Sequence, residues 1–311
     1  MIDLPGSAPH KLHHKPISLG GGFVLVTGLI IAYLVIRPIA DQQVVAIFLG
    51  GAVIFIFGAL DDRFDLTAGQ KSIGQILAVL AVILLGIQVN ITPWQWVNIG
   101  LTFFWLIGIC NAMNFVDSMD GLALGLSVIA SAFFTLVTID AAQPELANLS
   151  GALLGASIGM FFFNASPARI FLGDSGSQFI GFILAAIGIA YVPAQANLPQ
   201  GVSWFTPILV LGVPVFDMTL VVVSRLRRRK PIYRADRDHI YHRLVSLGLE
   251  PTRSVVALHL VAVLLGLLTF IALDMSVLFA NILFSSILFV GIGAIIWLEV
   301  VEAHKNDQTP V

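Results

Sequence analysis

The sequence predicts an all-α fold: a polytopic membrane helix bundle of about ten transmembrane helices, with its active site on the cytoplasmic face. Three observations predict it. Hydrophobic residues fill 58% of the 311 positions and charged residues only 11%, whereas a soluble domain is about one quarter charged. The apolar residues fall in continuous runs of bilayer-crossing length, not in the alternating pattern of a β-barrel strand. Basic residues collect between alternate runs, as the positive-inside rule expects of a chain that threads back and forth.

The first run, 19–36, follows a polar start with Lys11, His13, His14 and Lys15 and no cleavable signal pattern. Runs 43–60, 72–89, 96–113 and 121–139 come next. Cys110 lies in the fourth, where a lone cysteine forms no internal disulfide, belongs to no metal motif and is expected to pack. The sixth, 149–165, carries Gly151, Gly155 and Gly159 on one helix face, which predicts a closely packed neighbour there. Runs 176–192, 203–224, 254–273 and 276–298 complete the set. Ten spans return both termini to one side. That side carries Lys11, Lys15, Arg63, Lys71, Arg169, the stretch from Arg225 to Arg253, and Lys305, which is 15 of the 16 basic residues; the other side has only Arg37. The expectation is a multi-pass plasma-membrane protein, one domain over 1–311, with both termini in the cytoplasm. A formal net charge of -2 gives no case for nucleic acid as a partner.

Polar chemistry is confined to the basic side. Its loops read KLHHKPISLGG, LDDRFDLTAGQK, NFVDSMDG, NASPARIFLGDSGS and SRLRRRKPIYRADRDHIYHRLVSLGL. Taken alone, Asp117, Asp174 and Ser175 read as helix caps, and the arginine run as an anchor to anionic lipid heads. Taken together, acids from separate loops on one face suit a hard divalent cation such as Mg²⁺, or Mn²⁺ in its place, which holds one or two carboxylates and shares its other positions with water and phosphate. FLGDSGS places glycines around a helix start, where free N–H groups bind anions. Lys71 closes the acidic loop within reach of a phosphate. His239, His242 and Arg243, with His13 at the other end of the chain, read as phosphate or nucleotide ligands; zinc lacks a Cys pair and a third ligand there. Asp217, inside the eighth run, reads as a supporting acid. A cation gripping a polyphosphate at the bilayer surface points to a reaction with one lipid reactant. The alternative is a polytopic transporter or proton-coupled carrier, but transporters set their ionisable residues near the bilayer midplane, and nearly all of these lie at helix ends, with Asp217 the partial exception.

In this order and on this side, the motifs KLHHKPISLGG, LDDRFDL, NAMNFVDSMDGLA, NASPARIFLGDSGS, PVFD and DRDHIYHRL resemble the polyprenyl-phosphate N-acetylhexosamine-1-phosphate transferases, relatives of the phospho-MurNAc-pentapeptide translocase. The resemblance covers almost the whole chain. It implies transfer of N-acetylhexosamine-1-phosphate, GlcNAc-1-phosphate in the nearest branch, from a UDP-N-acetylhexosamine to polyprenyl (undecaprenyl) phosphate, with release of UMP. Mg²⁺ is implied as cofactor. By motif, Asn114 and Asp174 are implied as metal ligands and Asp61 and Asp62 as the acidic pair near the attacking lipid phosphate. Asp117 and Asp120 match the DxxDG acids and complete the catalytic set. Lys71 is implied to contact phosphate, and His239 and His242 to bind the nucleotide sugar. The chain departs from the family pattern in three places. HIYHR carries Tyr241 where a histidine is usual, and Ser18 stands where proline is common. The chain also starts almost at the KxHxxPI motif, where relatives usually have one more helix, so a truncated or absent first helix is expected. Partners expected are the bilayer, the polyprenyl phosphate and the nucleotide sugar. Oligomeric state stays open, a homodimer included.

Overall fold

The computed structural model describes residues 2–3, 17–36, 41–192, 204–229 and 238–308. His13 lies outside them. Regular structure among the described residues is helical apart from a two-residue ladder, β1 (Ile2–Asp3) with β2 (Ile17–Ser18), and an isolated bridge between Ser18 and Ile170. The helices are α1 (Gly21–Ile36), α2 (Gln42–Phe64), α3 (Ala68–Leu84), α4 (Gln95–Val116), α5 (Leu122–Asp140), α6 (Pro144–Asn164), α7 (Gly173–Ala190), α8 (Thr206–Val210), α9 (Gly212–Arg227), α10 (Ile240–Ser246), α11 (Pro251–Leu273) and α12 (Val277–Gln308). Seven of them, α2, α4, α5, α6, α7, α11 and α12, are long and apolar enough to cross a membrane, and α1 and α3 are shorter apolar helices. The chain is thus a polytopic helical membrane protein.

The eighth apolar run is not one helix. It breaks into α8 and α9 at Leu211, just ahead of Gly212 and Pro214. Proline has no N–H to give the carbonyl four residues back, and its ring crowds that turn.

α7 is the axis of the bundle. From Ser175 to Ala190 nearly every residue is buried, and α1, α2, α4, α5 and α6 pack around it. Its N-terminal end is held by backbone as well as side chains. Phe171 N donates to Ser18 O at 2.9 Å, Gly21 N to Phe171 O at 3.0 Å and Gly22 N to Leu172 O at 2.9 Å. The ISLGG and FLGDSG segments, about 150 residues apart in the chain, are thereby stitched into one unit.

The close contact at that end needs a residue without a side chain. A Cβ on Gly58 of α2 would lie 2.6 Å from Ser175 Cα and 2.9 Å from Asp174 O, both backbone atoms that cannot swing away. The glycine stripe expected to pack on the sixth run does not do so. A Cβ on Gly155 or Gly159 would meet nothing within 4 Å, and one on Gly151 only the Thr135 side chain at 3.9 Å. Four-residue spacing put these glycines on one face, but among the described residues only its Gly151 end has a neighbour within 4 Å. Cys110 packs as expected, buried between α4 and α7, with its thiol against Gln178 O at 3.5 Å.

Gly58→Ala is expected to force α2 and α7 apart and to lower stability by about 1–3 kcal/mol, as overpacking does. It reads as a lower thermal midpoint of the detergent-solubilised protein. Gly155→Ala, with open space at its Cβ, is expected to leave the midpoint unchanged.

Candidate active site

The site forms where four helix ends meet. α2 ends in a tight three-residue turn, Asp65–Leu66–Thr67, before α3 starts. Asp65 takes the left-handed conformation (φ 50°), which Asp tolerates better than most residues. Thr67 and Gln70 form a reciprocal capping box at the start of α3. The turn sets Asp61, near the end of α2, beside Lys71, in the first turns of α3. Asp61 is buried, and its Oδ1 accepts from Leu66 N at 2.7 Å.

The Lys71 ammonium lies between two carboxylates. It pairs with Asp61 Oδ2, and with Asp174 Oδ2 at 2.7 Å. Asp174 stands in the first turn of α7. Its Oδ1 accepts from Asn114 Nδ2 of α4 at 2.9 Å, and the same amide reaches Ser177 Oγ at 3.0 Å. Lys71, Asp61, Asp174 and Asn114, from four helices, therefore form one cluster.

Asp62 is turned to a different use from its neighbour. Its Oδ1 accepts from Asp174 N at 2.8 Å, and its Oδ2 accepts from Ser175 N at 3.1 Å and from Ser175 Oγ at 2.6 Å. α7 has no side-chain cap from its own flanking residues; Asp62, on α2, supplies it. The opening is kept by Gly173, whose φ is +74° and where a Cβ would lie 2.7 Å from Asp62 Oδ2. Asp62 is thus bound up in the helix N-terminus, whereas Asp61 faces Lys71. Sequence adjacency could not separate the two, because neighbours on a helix point about 100° apart.

The DxxDG acids also divide. Asp117 caps the end of α4. Burial first, then the charges of Asp174, Asp62 and Asp120, push its carboxyl well above the usual carboxylate range. Asp120 Oδ2 accepts from Ala168 N at 3.0 Å, so that it holds the NASPAR loop. Asn164 completes that brace, accepting from Gly121 N and donating to Ile170 O, both at 3.0 Å.

The histidine segment packs beside the end of α4. The His239 ring meets Phe115 edge-on at 5.6 Å, and its Nδ1 pairs with the buried Asp217 Oδ2 at 2.8 Å. Asp217 Oδ1 also accepts from Ile240 N at 2.7 Å, so the intramembrane acid orients the segment, the supporting role read from its position. His242 is half-buried, 6.4 Å from His239 ring to ring. Tyr241 is buried; burial first, and the charge of Asp120 second, raise its phenol. Arg243 requires correction. It is buried, with Nη2 donating to Glu299 Oε1 at 2.6 Å and to Ser224 Oγ at 2.9 Å, and Nε donating to Asp238 O at 3.2 Å. A guanidinium so committed is not available to a substrate.

Three amides escaped the sequence reading. Gln178 Nε2 donates to Asp174 Oδ2 at 3.2 Å, and Gln75 Nε2 reaches both Gln178 Oε1 at 3.1 Å and Asn111 Oδ1 at 3.2 Å. The signal was present in the spacing. Gln178 follows Asp174 by four residues, Gln75 follows Lys71 by four and Asn111 precedes Asn114 by three. Each is one helical turn from a site residue, on the same face.

Among the described residues no group of three or more His, Cys, Asp or Glu side chains forms a ready metal cage. Two carboxylates that already share one cation, the Lys71 ammonium, are a donor set that fits a hard divalent ion completed by water and phosphate. Asn114 would serve it through Oδ1, since the amide nitrogen has no free lone pair.

Residues 44–192 match the model of glycosyl transferase family 4. The chain is 30% identical to a Bacillus subtilis protein named "Probable undecaprenyl-phosphate N-acetylglucosaminyl 1-phosphate transferase", over 84% of this chain and 74% of that one. It is 33% identical to the decaprenyl-phosphate N-acetylglucosaminephosphotransferase of Mycobacterium tuberculosis, over 69% of this chain and 60% of that one. It is 30% identical to the phospho-N-acetylmuramoyl-pentapeptide-transferase of Listeria monocytogenes, over 72% and 76%.

Asp62→Ala is expected to leave two N–H groups and one hydroxyl at the α7 N-terminus without their acceptor, and to cost about 1–3 kcal/mol. Thermal unfolding in detergent measures it, and Asp62→Asn, which keeps a carbonyl acceptor, is expected to lose less. An unchanged midpoint in Asp62→Ala contradicts the capping role.

Proposed function

The chain belongs to glycosyl transferase family 4, and from that premise we propose that it transfers N-acetylglucosamine-1-phosphate from UDP-GlcNAc to a polyprenyl phosphate, releasing UMP. The observation that carries this reading is the meeting of Lys71, Asp61, Asp174 and Asn114 from four separate helices. Acceptor names among the relatives, undecaprenyl- and decaprenyl-phosphate, support a lipid acceptor. Helices long and apolar enough to cross a bilayer suit a protein whose acceptor resides in that bilayer.

The two substrates are both phosphates, so the reaction needs charge management more than a strong base. A phosphate monoester has its second pKa near ~6 and is largely ionised at neutral pH. In the proposed step an oxygen of the lipid phosphate attacks the β-phosphorus of the UDP-sugar in line. The new P–O bond forms as the bond from that phosphorus to the bridging oxygen breaks, and UMP leaves with the electron pair. Asp61 orients the nucleophile or takes a residual proton. Lys71 exchanges its carboxylate partners for phosphate oxygens. Asp174 and Asn114 would hold Mg²⁺, or Mn²⁺ in its place, which supplies positive charge to the diphosphate. His239, fixed by Asp217, and His242 face the nucleotide sugar.

Orientation follows from charge. The site end of the helices carries Arg63, Lys71, Arg169 and the arginines at the end of α9, and the positive-inside rule sets that end in the cytoplasm. Ten crossings keep both termini there. α1, α3 and the broken α8–α9 run supply the three beyond the seven long helices.

Purified protein with UDP-GlcNAc, polyprenyl phosphate and Mg²⁺ is expected to release UMP, and chelation to stop the release until Mg²⁺ is restored. A panel of UDP-sugars in the same assay identifies the donor; absence of UMP with every one ends the proposal. Asp174→Ala is expected to fall to background while the protein remains folded, and near-normal rates would refute its assignment. Labelled sugar-phosphate trapped on the protein without lipid acceptor would replace direct attack by a two-step route through a covalent intermediate.

A further inference from the structure

α12 is unlike the other long helices. It runs 28 residues from Val277 to His304 as a candidate span, about 42 Å at 1.5 Å per residue, yet few of its residues are buried. Only Ala280, Leu298 and Glu299 are buried among its described residues. Near its start Phe284 stacks on Phe205 of the α7–α8 connection, ring centroids 5.2 Å apart. Near its other end the residue turned inward is an acid. Glu299 Oε1 accepts from Arg243 Nη2 at 2.6 Å, and Oε2 lies 3.5 Å from Arg227 Nη1.

A carboxylate among the three buried positions of a lipid-facing helix is costly unless its partner needs it. Arg243 does. Its Nη1 is buried and makes no hydrogen bond among the described residues, so the guanidinium depends on Nη2 and Nε. Those two nitrogens tie α12 (Glu299) and α9 (Ser224) to the backbone oxygen of Asp238, the residue before His239. Arg228 of the α9 C-terminal turn adds a pair with Asp238 Oδ1 at 2.8 Å. The His239 segment is therefore clamped from two sides. Asp217 fixes the ring and the Ile240 N–H from α9. Arg243 fixes the preceding carbonyl, and its charge is matched by Glu299.

We propose that Glu299 is a positioning residue for the transfer reaction: acting through Arg243, it latches the last helix to the histidine segment and sets the geometry in which that segment meets the nucleotide sugar. The proposal rests on the donor-binding reading of His239 and His242 given above. Glu299 touches no substrate in this scheme. Its removal should therefore weaken donor binding much more than the chemical step.

Two measurements on the full-length protein in detergent test it. The first is KM for UDP-GlcNAc and kcat at saturating polyprenyl phosphate. Glu299→Ala is expected to raise KM about tenfold with kcat within about threefold, the pattern of lost binding rather than lost transition-state contact. Glu299→Gln, which keeps an acceptor for Arg243 Nη2 without the charge, is expected to fall between it and wild type. Ile296→Ala, on the exposed face of the same helix, is expected to match wild type. The second measurement is amide hydrogen exchange, expected to rise about tenfold over 238–246 in Glu299→Ala while α2 and α7 stay protected. Wild-type KM and wild-type exchange in Glu299→Ala overturn the proposal, as does exchange that rises equally across the whole chain. If Glu299→Ala fails to fold, Glu299→Gln decides by the same KM and exchange criteria. A wild-type protein that turns over no UDP-sugar defeats the functional reading alone, because the exchange experiment still reports whether the latch exists.

Discussion

The buried N-terminus of α7 is the constraint on which the rest of the arrangement depends. A helix start carries N–H groups with no partner inside the helix, and in a low-dielectric interior each must find one. Here the partner comes from another helix: Asp62 of α2 takes two amides and the Ser175 hydroxyl. For that carboxylate to reach, α2 must come within backbone contact, which Gly58 permits, and Gly173 must leave room. Once α2 is fixed against α7, the short turn to α3 places Lys71 opposite Asp174, and Asn114 closes in from α4. The cluster of Lys71, Asp61, Asp174 and Asn114 is thus a by-product of satisfying one helix end.

Electrostatics reinforce this order. The first turn of α7 brings the positive end of its macrodipole to bear on Asp62 and Asp174. Lys71 balances Asp61 and Asp174 at once. Asp117 has no such cation beside it in any contact described, and its carboxyl is pushed toward the neutral form.

Helix existence was legible because long apolar runs leave little choice in a bilayer, and the clustering of polar motifs at one end followed from the same alternation. Division of labour within each motif was not legible. Asp61 and Asp62 are identical in type and adjacent, and only the azimuth of α2 against α7 assigns one to the cluster and the other to the cap. Arg243 looked like a substrate cation because its partner, Glu299, lies 56 residues away on another helix. Gly155 and Gly159 misled for the converse reason: periodicity reports a face, not what lies opposite it. Gln75, Asn111 and Gln178 were passed over because amides inside apolar runs carry no charge to draw notice.

Those three amides have a consequence for where wetness stops. They answer one another, Gln75 with Asn111 and Gln178, and Gln178 with Asp174. These hydrogen-bonded amides lie one helical turn from the charged cluster, a graded step between ions and hydrocarbon. Without such a step, water would have to follow the ions inward to solvate them. With it, a strongly polar cluster can sit on apolar helices, each of its charges passing to hydrocarbon through a hydrogen-bonded dipole.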